Sequence, residues 1–272
     1  MFLYQKGTMS VYSNIAEKLQ YVSPKFYKDQ FFKNLKNLNE QNILERKIEP
    51  ELLWVRNYLK KNDVFMDVGT NMGAYLYILE DRLQHHNIFG FEPNKKLCMR
   101  LKRIFPDMRI VPLALSDANT YSEFKIPVIN GKKILTRGTL HTEIKEMGEN
   151  SSERHTVKVL RLDDWAEIEH FRRLNFIKID VEGNELQTLR GARETIQKFK
   201  PTLMVEIEQR HHQEPIWNII SEVAGWGFKA HYLSRKSFEP VPLTKNLLEE
   251  QNSDNVKKYE QYINNIIFVP VK

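Results

Sequence analysis

One stretch of the chain decides the fold: Val64-Phe65-Met66-Asp67-Val68-Gly69-Thr70-Asn71-Met72-Gly73. Its apolar first half is short and ends in turn residues, which is typical of a buried strand in a parallel sheet. The two glycines permit a tight turn and a close approach between the backbone and a ligand. A helix is predicted from Met72 to Leu83, so the stretch opens a strand–turn–helix unit.

The same alternation of strand and helix continues along the chain. Strands are predicted at 64–69, 87–91, 109–115, 175–181, 202–207, 228–233 and 265–271, and helices at 94–104, 185–199 and 215–226. This order is typical of an α/β fold with a mostly parallel seven-stranded sheet and helices on both faces. A long polar loop separates the last two strands, which predicts an antiparallel hairpin at one edge.

Two regions depart from this alternation. Residues 1–50 show helical patterning only, so we predict an N-terminal helical extension followed by one domain over residues 51–272. Farther along, Phe124–Val128 and Thr156–Leu162 are predicted strands around a polar segment, Asn130–Arg154. We expect that segment to be a loop beside the active site.

Composition narrows the class of protein. The 41 Lys and Arg residues exceed the 35 Asp and Glu residues by six, and they are scattered as on a solvated surface. One basic cluster, Arg100, Lys102 and Arg103, is too small for a nucleic-acid surface, so nucleic acid is not the expected partner. No apolar run reaches the roughly 20 residues of a membrane span, and Met1–Ser10 does not resemble a secretory signal. We therefore expect a cytoplasmic protein, and its single cysteine, Cys98, excludes an intrachain disulfide.

Polar residues follow the first three strands. Asp67 precedes the glycine turn, where it would repel a pyrophosphate, and the dinucleotide pattern G-x-G-x-x-G is absent. An amino-acid-bearing nucleoside fits this carboxylate better. Glu92 ends the second strand and can accept both hydroxyls of a ribose. Ser116 and Asp117 end the third, where they either bond an adenine edge or form an ordinary polar turn.

The most distinctive segment is Ile177-Lys178-Ile179-Asp180-Val181-Glu182-Gly183-Asn184-Glu185. An apolar strand runs directly into carboxylates, which are costly to bury unless they face a site or have partners. Helix capping can explain Glu182 and Glu185, because acids favour a helix N-terminus. It explains Asp180 poorly, so Asp180 is the stronger functional candidate.

In this order, the motifs resemble those of the FkbM-type methyltransferase family. The resemblance covers about half of the chain, from Val64 to Glu208. It also includes Phe91-Glu92-Pro93-Asn94, Ala114–Asp117, Leu162-Asp163-Asp164, Leu189-Arg190-Gly191-Ala192 and Val205-Glu206-Ile207-Glu208. It implies a class I, Rossmann-like methyltransferase fold, S-adenosylmethionine as the methyl donor, and a hydroxyl acceptor on a sugar or a secondary metabolite.

The resemblance also implies which residues bind the donor. The predicted set is Asp67, Gly69, Thr70, Asn71, Gly73, Glu92, Pro93, Ser116, Asp117 and Asp180. The first turn would hold the methionine part, Glu92 the ribose, and Ser116 with Asp117 the adenine. We expect Asp67 and Glu92 to share one crevice, with Asp180 at its reacting end.

Methyl transfer to a hydroxyl needs a base or a metal, because a hydroxyl is a weak acid. Asp180 and Glu206 end neighbouring strands and form the predicted catalytic core. His211 is the preferred base, although His211-His212 could equally be a solvated helix start. The two carboxylates could instead bind Mg²⁺ or another divalent ion. Further candidate bases are His141, His155 and His212.

Other functions stay open. One is an N-methyltransferase acting on an amino sugar, a peptide or a nucleic acid, although no Asn/Asp-Pro-Pro-Tyr/Phe signature ends the fourth strand. Another is a non-catalytic donor-binding protein, against which the intact acids at 67, 92, 180 and 206 argue. The expected partner is a small molecule or a glycan. The oligomeric state is open, a homo-oligomer included.

Overall fold

The structure is a computed structural model that describes residues 11–248 and 262–271. Its helices are α1 (Val11–Val22), α2 (Pro24–Phe31), α3 (Glu40–Arg46), α4 (Pro50–Tyr58), α5 (Ala74–Leu79), α6 (Lys95–Ile104), α7 (Leu162–Glu169), α8 (Glu185–Arg190), α9 (Arg193–Phe199), α10 (Trp217–Gly225) and α11 (Lys245–Leu248). Its strands are β1 (Phe65–Val68), β2 (Ile88–Phe91), β3 (Arg109–Val111), β4 (Ala114–Leu115), β5 (Thr120–Ile129), β6 (Lys132–Lys133), β7 (Glu149–Leu160), β8 (Phe176–Ile179), β9 (Thr202–Glu206), β10 (Phe228–Leu233), β11 (Pro240–Pro242) and β12 (Asn265–Pro270). Residues 1–10 of the predicted N-terminal extension and residues 249–261 of the predicted polar loop before β12 lie outside the described residues.

The described strands build an eight-stranded sheet in the order β11-β10-β12-β9-β8-β1-β2-β3. The strands from β9 to β3 run parallel, whereas β12, β10 and β11 run antiparallel to their neighbours. The predicted α/β fold is confirmed. The predicted number of seven strands is wrong for this sheet, because the short β11 adds to β10. Its two prolines conceal it in the sequence, and prolines are tolerated on an edge strand.

Both faces of the sheet are buried, as the continuous apolar strands predict. Along β1, Met66 and Val68 pack into the core on one face, and Phe65 packs into the core on the other. The second face is covered by α4, α5, α6 and the N-terminal helices, where the rings of Phe32 and Tyr77 stack with centroids 4.6 Å apart. Cys98 is buried in the same core, as expected of a free cysteine with no reactive role. The boundary between an extension and a domain at residue 50 stays a prediction.

The predicted third strand, 109–115, is split between two sheets. Pro112 lacks the N–H that would continue the ladder, and β3 ends before it. The chain turns there, and β4 pairs with β7 in a second, four-stranded sheet of order β4-β7-β5-β6.

This second sheet is formed mainly by a long antiparallel hairpin of β5 and β7. Its pairing runs from Thr120 opposite Val159 to Ile129 opposite Glu149. Both predicted strands are present but longer than predicted, and the predicted loop over 130–154 is partly wrong, because residues 149–154 belong to β7. Inward-facing apolar residues give the sheet a small core of its own: Ala114, Phe124, Ile126, Val157 and Val159.

The helices also differ from the prediction in places. The predicted helix over 185–199 is two helices, α8 and α9, with Gly191 at the break. A Cβ atom at Gly191 would lie 1.9 Å from the carbonyl oxygen of Ser116, so only glycine fits this approach. The helix α7 was not predicted as a helix. No helix in the described ranges is long and apolar enough to cross a membrane.

Candidate functional site

Acidic side chains stand at the carboxyl ends of four adjacent parallel strands. Asp67 lies in β1 and Glu206 ends β9, while Glu92 directly follows β2 and Asp180 directly follows β8. Parallel strands present their carboxyl ends at one edge, which is where open α/β sheets bind their ligands. The edge therefore concentrates negative charge beside a glycine-containing turn.

Two adjacent cavities open at this edge. The first, with an empty volume of about 520 Å³, is lined by Val68, Gly69, Asn71, Phe91, Glu92, Pro93, Leu113, Ala114, Leu115, Phe124, Leu135, Thr136, Gly138, Leu140, Asp180, Val181, Glu182 and Asn184. The second, of about 1200 Å³, is lined by Phe31, Phe32, Asn34, Leu35, Lys47, Ile48, Glu49, Leu52, Asp67, Gly69, Thr70, Asn71, Met72, Ala74, Tyr75, Thr136, Lys178, Asp180, Glu182 and Glu206. They share Gly69, Asn71, Thr136, Asp180 and Glu182. The single crevice expected for Asp67 and Glu92 is thus two cavities, which meet at Asp180.

The turn after β1 brings the backbone of two strands into contact. Gly69 has φ +80°, and a Cβ atom there would lie 1.8 Å from the carbonyl oxygen of Asp180. The N–H groups of Gly69 and Thr70 both donate to the carbonyl oxygen of Phe91, each at 3.0 Å. The turn is therefore held between β2 and β8, and its conformation requires glycine at position 69.

Glu92 is buried in the wall of the first cavity. The N–H of Asn71 donates to its Oε2 and the N–H of Asn94 to its Oε1, both at 2.7 Å. Burial raises the pKa of the Glu92 carboxyl to about 8, and the two N–H donors oppose this only in part. Each oxygen can accept a second hydrogen bond, so the carboxylate can receive hydroxyl groups from a ligand.

Lys178 balances two of the acids. It lies opposite Asp67 in the β1–β8 pairing, and its Nζ lies 3.1 Å from Asp180 Oδ2 and 3.7 Å from Asp67 Oδ1. Burial acts to lower the pKa of Lys178, but the carboxylates of Asp180 and Asp67 outweigh it and hold the pKa above the usual value. Burial raises the pKa of Asp67 to about 7 despite the lysine. The lysine stays charged. It bonds Asp180, at the meeting point of the cavities, and lies beside Asp67 in the wall of the second cavity.

The family follows from a comparison with known protein families. The model of the methyltransferase FkbM domain matches residues 67–233, more than half of the chain. The chain belongs to the FkbM methyltransferase family. The match includes all four acidic strand ends and confirms the resemblance seen in the motifs. Residues 67–233 are an S-adenosylmethionine-dependent methyltransferase domain of the FkbM type.

Individual relatives of this FkbM chain are distant. It is 28% identical over 170 residues to the hexuronic acid methyltransferase AglP of Haloferax volcanii, covering 60% of this chain and 63% of AglP. It is 26% identical over 152 residues to the 2-O-methyltransferase NoeI of Sinorhizobium fredii, covering 52% and 62%. It thus spans less than two thirds of either relative. The crystal structure of methyltransferase FkbM from Methylobacillus flagellatus aligns with a TM-score of 0.47 at 13% identity, over 94% of this chain and 57% of that one.

Seven of the predicted donor-binding residues of the FkbM domain lie in the cavity walls. Those of the first cavity are Gly69, Asn71, Glu92, Pro93 and Asp180; those found in the second cavity alone are Asp67 and Thr70. The turn after β1 and the ends of β2 and β8 therefore form one continuous wall of the first cavity. The binding roles of these residues stay predictions.

The other three predicted donor-binding residues lie outside both walls. A Cβ atom at Gly73 would lie 2.6 Å from the side chain of Leu101, so this glycine allows α5 to pack on α6. Ser116 donates its N–H to the carbonyl oxygen of Leu160, and its neighbour Asp117 is exposed. The apolar residues just before them, Leu113 to Leu115, line the first cavity instead, because the chain turns at Pro112.

The sequence predicts a loop beside the active site over 130–154, but it does not indicate which residues of the hairpin line the first cavity. Phe124, Leu135, Thr136, Gly138 and Leu140 line the first cavity opposite the turn. A hydrogen bond joins the two walls directly: the side-chain Nδ2 of Asn71 donates to the carbonyl oxygen of Thr136, at 3.0 Å. No local pattern marks these residues, since their position depends on pairing between β5 and β7.

Glu206 lies on the side of the second cavity. Its Oε1 accepts a hydrogen bond of 3.0 Å from the side chain of Asn264. Burial raises the pKa of Glu206 well above its usual range, and the nearby carboxylate of Asp180 raises it further. Glu206 is therefore suited to hold a proton and to donate it in a hydrogen bond at neutral pH.

His211, the preferred base, lines neither cavity. Its side chain is 6% exposed, and its Nε2 lies 3.4 Å from Oε2 of Glu182 and 3.5 Å from Oε1 of Glu146. Among the described residues, these three form a group compact enough to hold a metal ion, and the predicted metal candidates Asp180 and Glu206 do not belong to it.

The other histidines have different surroundings. His212 Nε2 lies 3.1 Å from Oε2 of the buried Glu185. His155 is exposed on the hairpin and pairs with Glu153 at 2.7 Å. Burial lowers the pKa of His141, which the carboxylate of Glu185 opposes. None of the three lines either cavity.

Proposed function

We propose that this chain transfers the methyl group of S-adenosylmethionine to a hydroxyl group of a sugar, a glycan or a sugar-bearing metabolite. One observation carries the proposal: Asp180 stands where the two cavities meet. A donor in the first cavity and an acceptor in the second would place the reacting atoms beside it. Methyl transfer requires such alignment of nucleophile and methyl group.

The first cavity has the chemistry of the donor's nucleoside. Phe91, Pro93 and Leu113 supply apolar surface for an adenine ring, and Glu92 can accept the ribose hydroxyls. The acids at the meeting point attract the positive charge of the donor's sulfonium group. That charge disappears when the methyl group leaves, so S-adenosylhomocysteine binds more weakly to this edge than S-adenosylmethionine does.

The second cavity has the chemistry of a polar acceptor with an apolar face. Phe31, Phe32 and Leu52 provide the apolar part, and Asp180 and Glu206 the polar part. AglP is named for a hexuronic acid and NoeI for 2-O-methylation, and a sugar hydroxyl fits both names. We assign Asp180 to contact that hydroxyl and accept its proton. An Mg²⁺ ion between Asp180 and Glu206 stays a prediction. In the structure Asp180 accepts a hydrogen bond from Lys178, and Glu206 accepts one from Asn264.

An amine acceptor is the second candidate, favoured by the carboxyl groups of the second cavity. Five acids line it, Glu49, Asp67, Asp180, Glu182 and Glu206, against the two lysines Lys47 and Lys178. Their oxygens can accept hydrogen bonds from an amine, as on an amino sugar. Product analysis separates the two, because fragmentation in the mass spectrometer shows whether the added methyl group is on a nitrogen or on an oxygen.

The experiment has two stages. Calorimetry first measures S-adenosylmethionine binding to the purified chain, and absence of binding contradicts the proposal. Glycosides of glucose, glucosamine and glucuronic acid are then incubated with donor, and S-adenosylhomocysteine and methylated product are measured by mass spectrometry.

The role of Asp180 is tested on whichever acceptor reacts. The Asp180→Asn variant should lower kcat on the order of 100-fold or more while changing donor affinity less than about tenfold. The control is Asp107→Asn, an exposed aspartate in the turn between α6 and β3, which should keep full activity. An Asp180→Asn variant with unchanged kcat removes this residue from the mechanism.

A further inference from the structure

A half-buried three-residue group lies at the wall shared by the two cavities, which Glu182 itself lines. Glu146 comes from the loop of the hairpin, Glu182 from the segment after β8, and His211 from the segment after β9. Their side chains are 10%, 14% and 6% exposed. The group is therefore assembled from three separate parts of the chain and largely shielded from water.

The contacts within this group are too long to be hydrogen bonds. Nε2 of His211 is buried and has no hydrogen-bond partner among the residues that the structure describes. It points at two carboxylate oxygens, 3.4 Å away on Glu182 and 3.5 Å away on Glu146. A buried, unbonded nitrogen of this kind loses its interaction with water without replacement.

The same distances match those between ligands of a tetrahedral cation. Zn–N and Zn–O bonds of about 2.0–2.1 Å in tetrahedral geometry place ligand atoms about 3.4 Å apart. Both nitrogen–oxygen separations agree with this value. One imidazole and two carboxylates are also a ligand set that Zn²⁺ accepts, with a fourth position open to water.

The surrounding charges suit a cation here. Arg210 contacts Glu146 at 3.1 Å and binds Glu208 through two of its nitrogens, and Arg137 binds Glu146 at 2.8 Å. The carboxylates of Glu146, Glu182 and Glu208 thus face the guanidinium groups of Arg137 and Arg210. Three acids against two bases leave a surplus of one negative charge. The arginines also fix the orientation of the carboxylates, as residues behind metal ligands do.

We propose that Glu146, Glu182 and His211 bind one divalent transition-metal cation of the Zn²⁺ type, through one carboxylate oxygen each and the imidazole Nε2. The site adjoins both cavities through Glu182, which lines each of them, but its three side chains are in place without donor or acceptor. It joins the hairpin to the sheet edge, because Glu146 belongs to the first and the other two ligands to the second. A cation here occupies the nitrogen that a base would use, so His211 is not the base.

The test uses the full chain, stripped with a chelator and titrated with Co²⁺ alone. The expected result is one bound equivalent with the intense visible absorption of tetrahedral Co²⁺, displaced by Zn²⁺ and accompanied by a higher melting temperature. Absence of saturable binding overturns the proposal and leaves an imidazole between two carboxylates, without a metal ion, as the structure of this group.

Variants locate the binding. His211→Ala and Glu182→Gln should each weaken Co²⁺ binding on the order of 100-fold or more, as loss of a ligand requires. The matched control is His212→Ala, the adjacent histidine, which contacts Glu185 and should keep wild-type affinity. Circular dichroism of the metal-free variants shows whether they fold. Tetrahedral binding that persists in folded His211→Ala, or disappears in His212→Ala alone, also overturns the proposal.

Discussion

The two walls of the first cavity are built in opposite ways. The wall of the sheet consists of a turn and strand ends, with a glycine at φ +80° and a buried carboxylate at Glu92. The wall of the hairpin supplies mainly apolar cover from Phe124, Leu135 and Leu140. The comparison separates two requirements of ligand binding. The sheet wall fixes the position of polar and charged groups that contact the ligand, and the hairpin wall excludes water from the cavity. Substitutions in the first wall should therefore cost far more than those in the second.

The largest effect is expected at Gly69. A Gly69→Ala substitution places a Cβ atom 1.8 Å from the Asp180 carbonyl oxygen, so the turn must move away from β8. We expect donor binding to fall below detection in calorimetry and stability to drop by about 3 kcal/mol or more. Gly131→Ala is the control: its φ is also positive, at +71°, but no atom lies within 4 Å. It should cost about 1 kcal/mol and leave donor binding intact.

Next in size is the substitution Glu92→Gln. The variant loses a charged acceptor, and hydrogen bonds to charged groups contribute about 1.5–3 kcal/mol. Donor affinity should fall about 10- to 100-fold in calorimetry. The control is Glu123→Gln. Glu123 is exposed on the hairpin, where it pairs with Arg154, so the variant should change donor affinity by less than about twofold. Equal losses in the two variants would contradict the division between the walls.

The pH dependence of donor binding should follow the same carboxyl group. With a pKa of about 8 in the free chain, Glu92 is mostly protonated at pH 6 and must lose its proton to accept the ribose hydroxyls. Affinity should therefore rise with pH up to about 8, by at most about tenfold per unit, and then level off. Asp67, whose pKa is about 7, adds to the same trend. The part of the slope that Glu92→Gln abolishes belongs to Glu92; an unchanged slope would contradict the assignment.

The smallest effect is expected in the hairpin. Thr139 donates its hydroxyl to the carbonyl oxygen of Glu182, at 2.7 Å, and Thr139→Val removes this bond. The melting temperature should fall in accord with a loss of about 1–2 kcal/mol, with donor affinity changed less than about threefold. The exposed Thr156→Val on β7 is the control and should leave both unchanged. A large loss of donor affinity in Thr139→Val would show that the hairpin positions the donor as well.

The same division explains what the sequence could predict. Asp67, Gly69 and Glu92 are set by a strand and the turn directly after it, so neighbouring residues suffice to place them. The hairpin wall depends on pairing across a long loop, which leaves no short-range pattern. Ser116 was predicted to reach the cavity because it directly follows the predicted third strand, 109–115. The chain turns at Pro112, before Ser116, so this residue lies elsewhere. Glu146 was missed because its partner Arg210 is 64 positions away.

The pairing of Asp67 with Lys178 has a consequence for how the protein matures. These two residues face each other on adjacent strands, although 111 positions separate them along the chain. These 111 residues, about two fifths of the polypeptide, must be synthesised after β1 before its partner strand can close this contact, and such long-range pairing is slow. A donor molecule can then stabilise only chains that have completed this pairing, because a ligand stabilises the state it binds. The concentration of the donor in the cell would thereby influence the fraction of chains that stay folded.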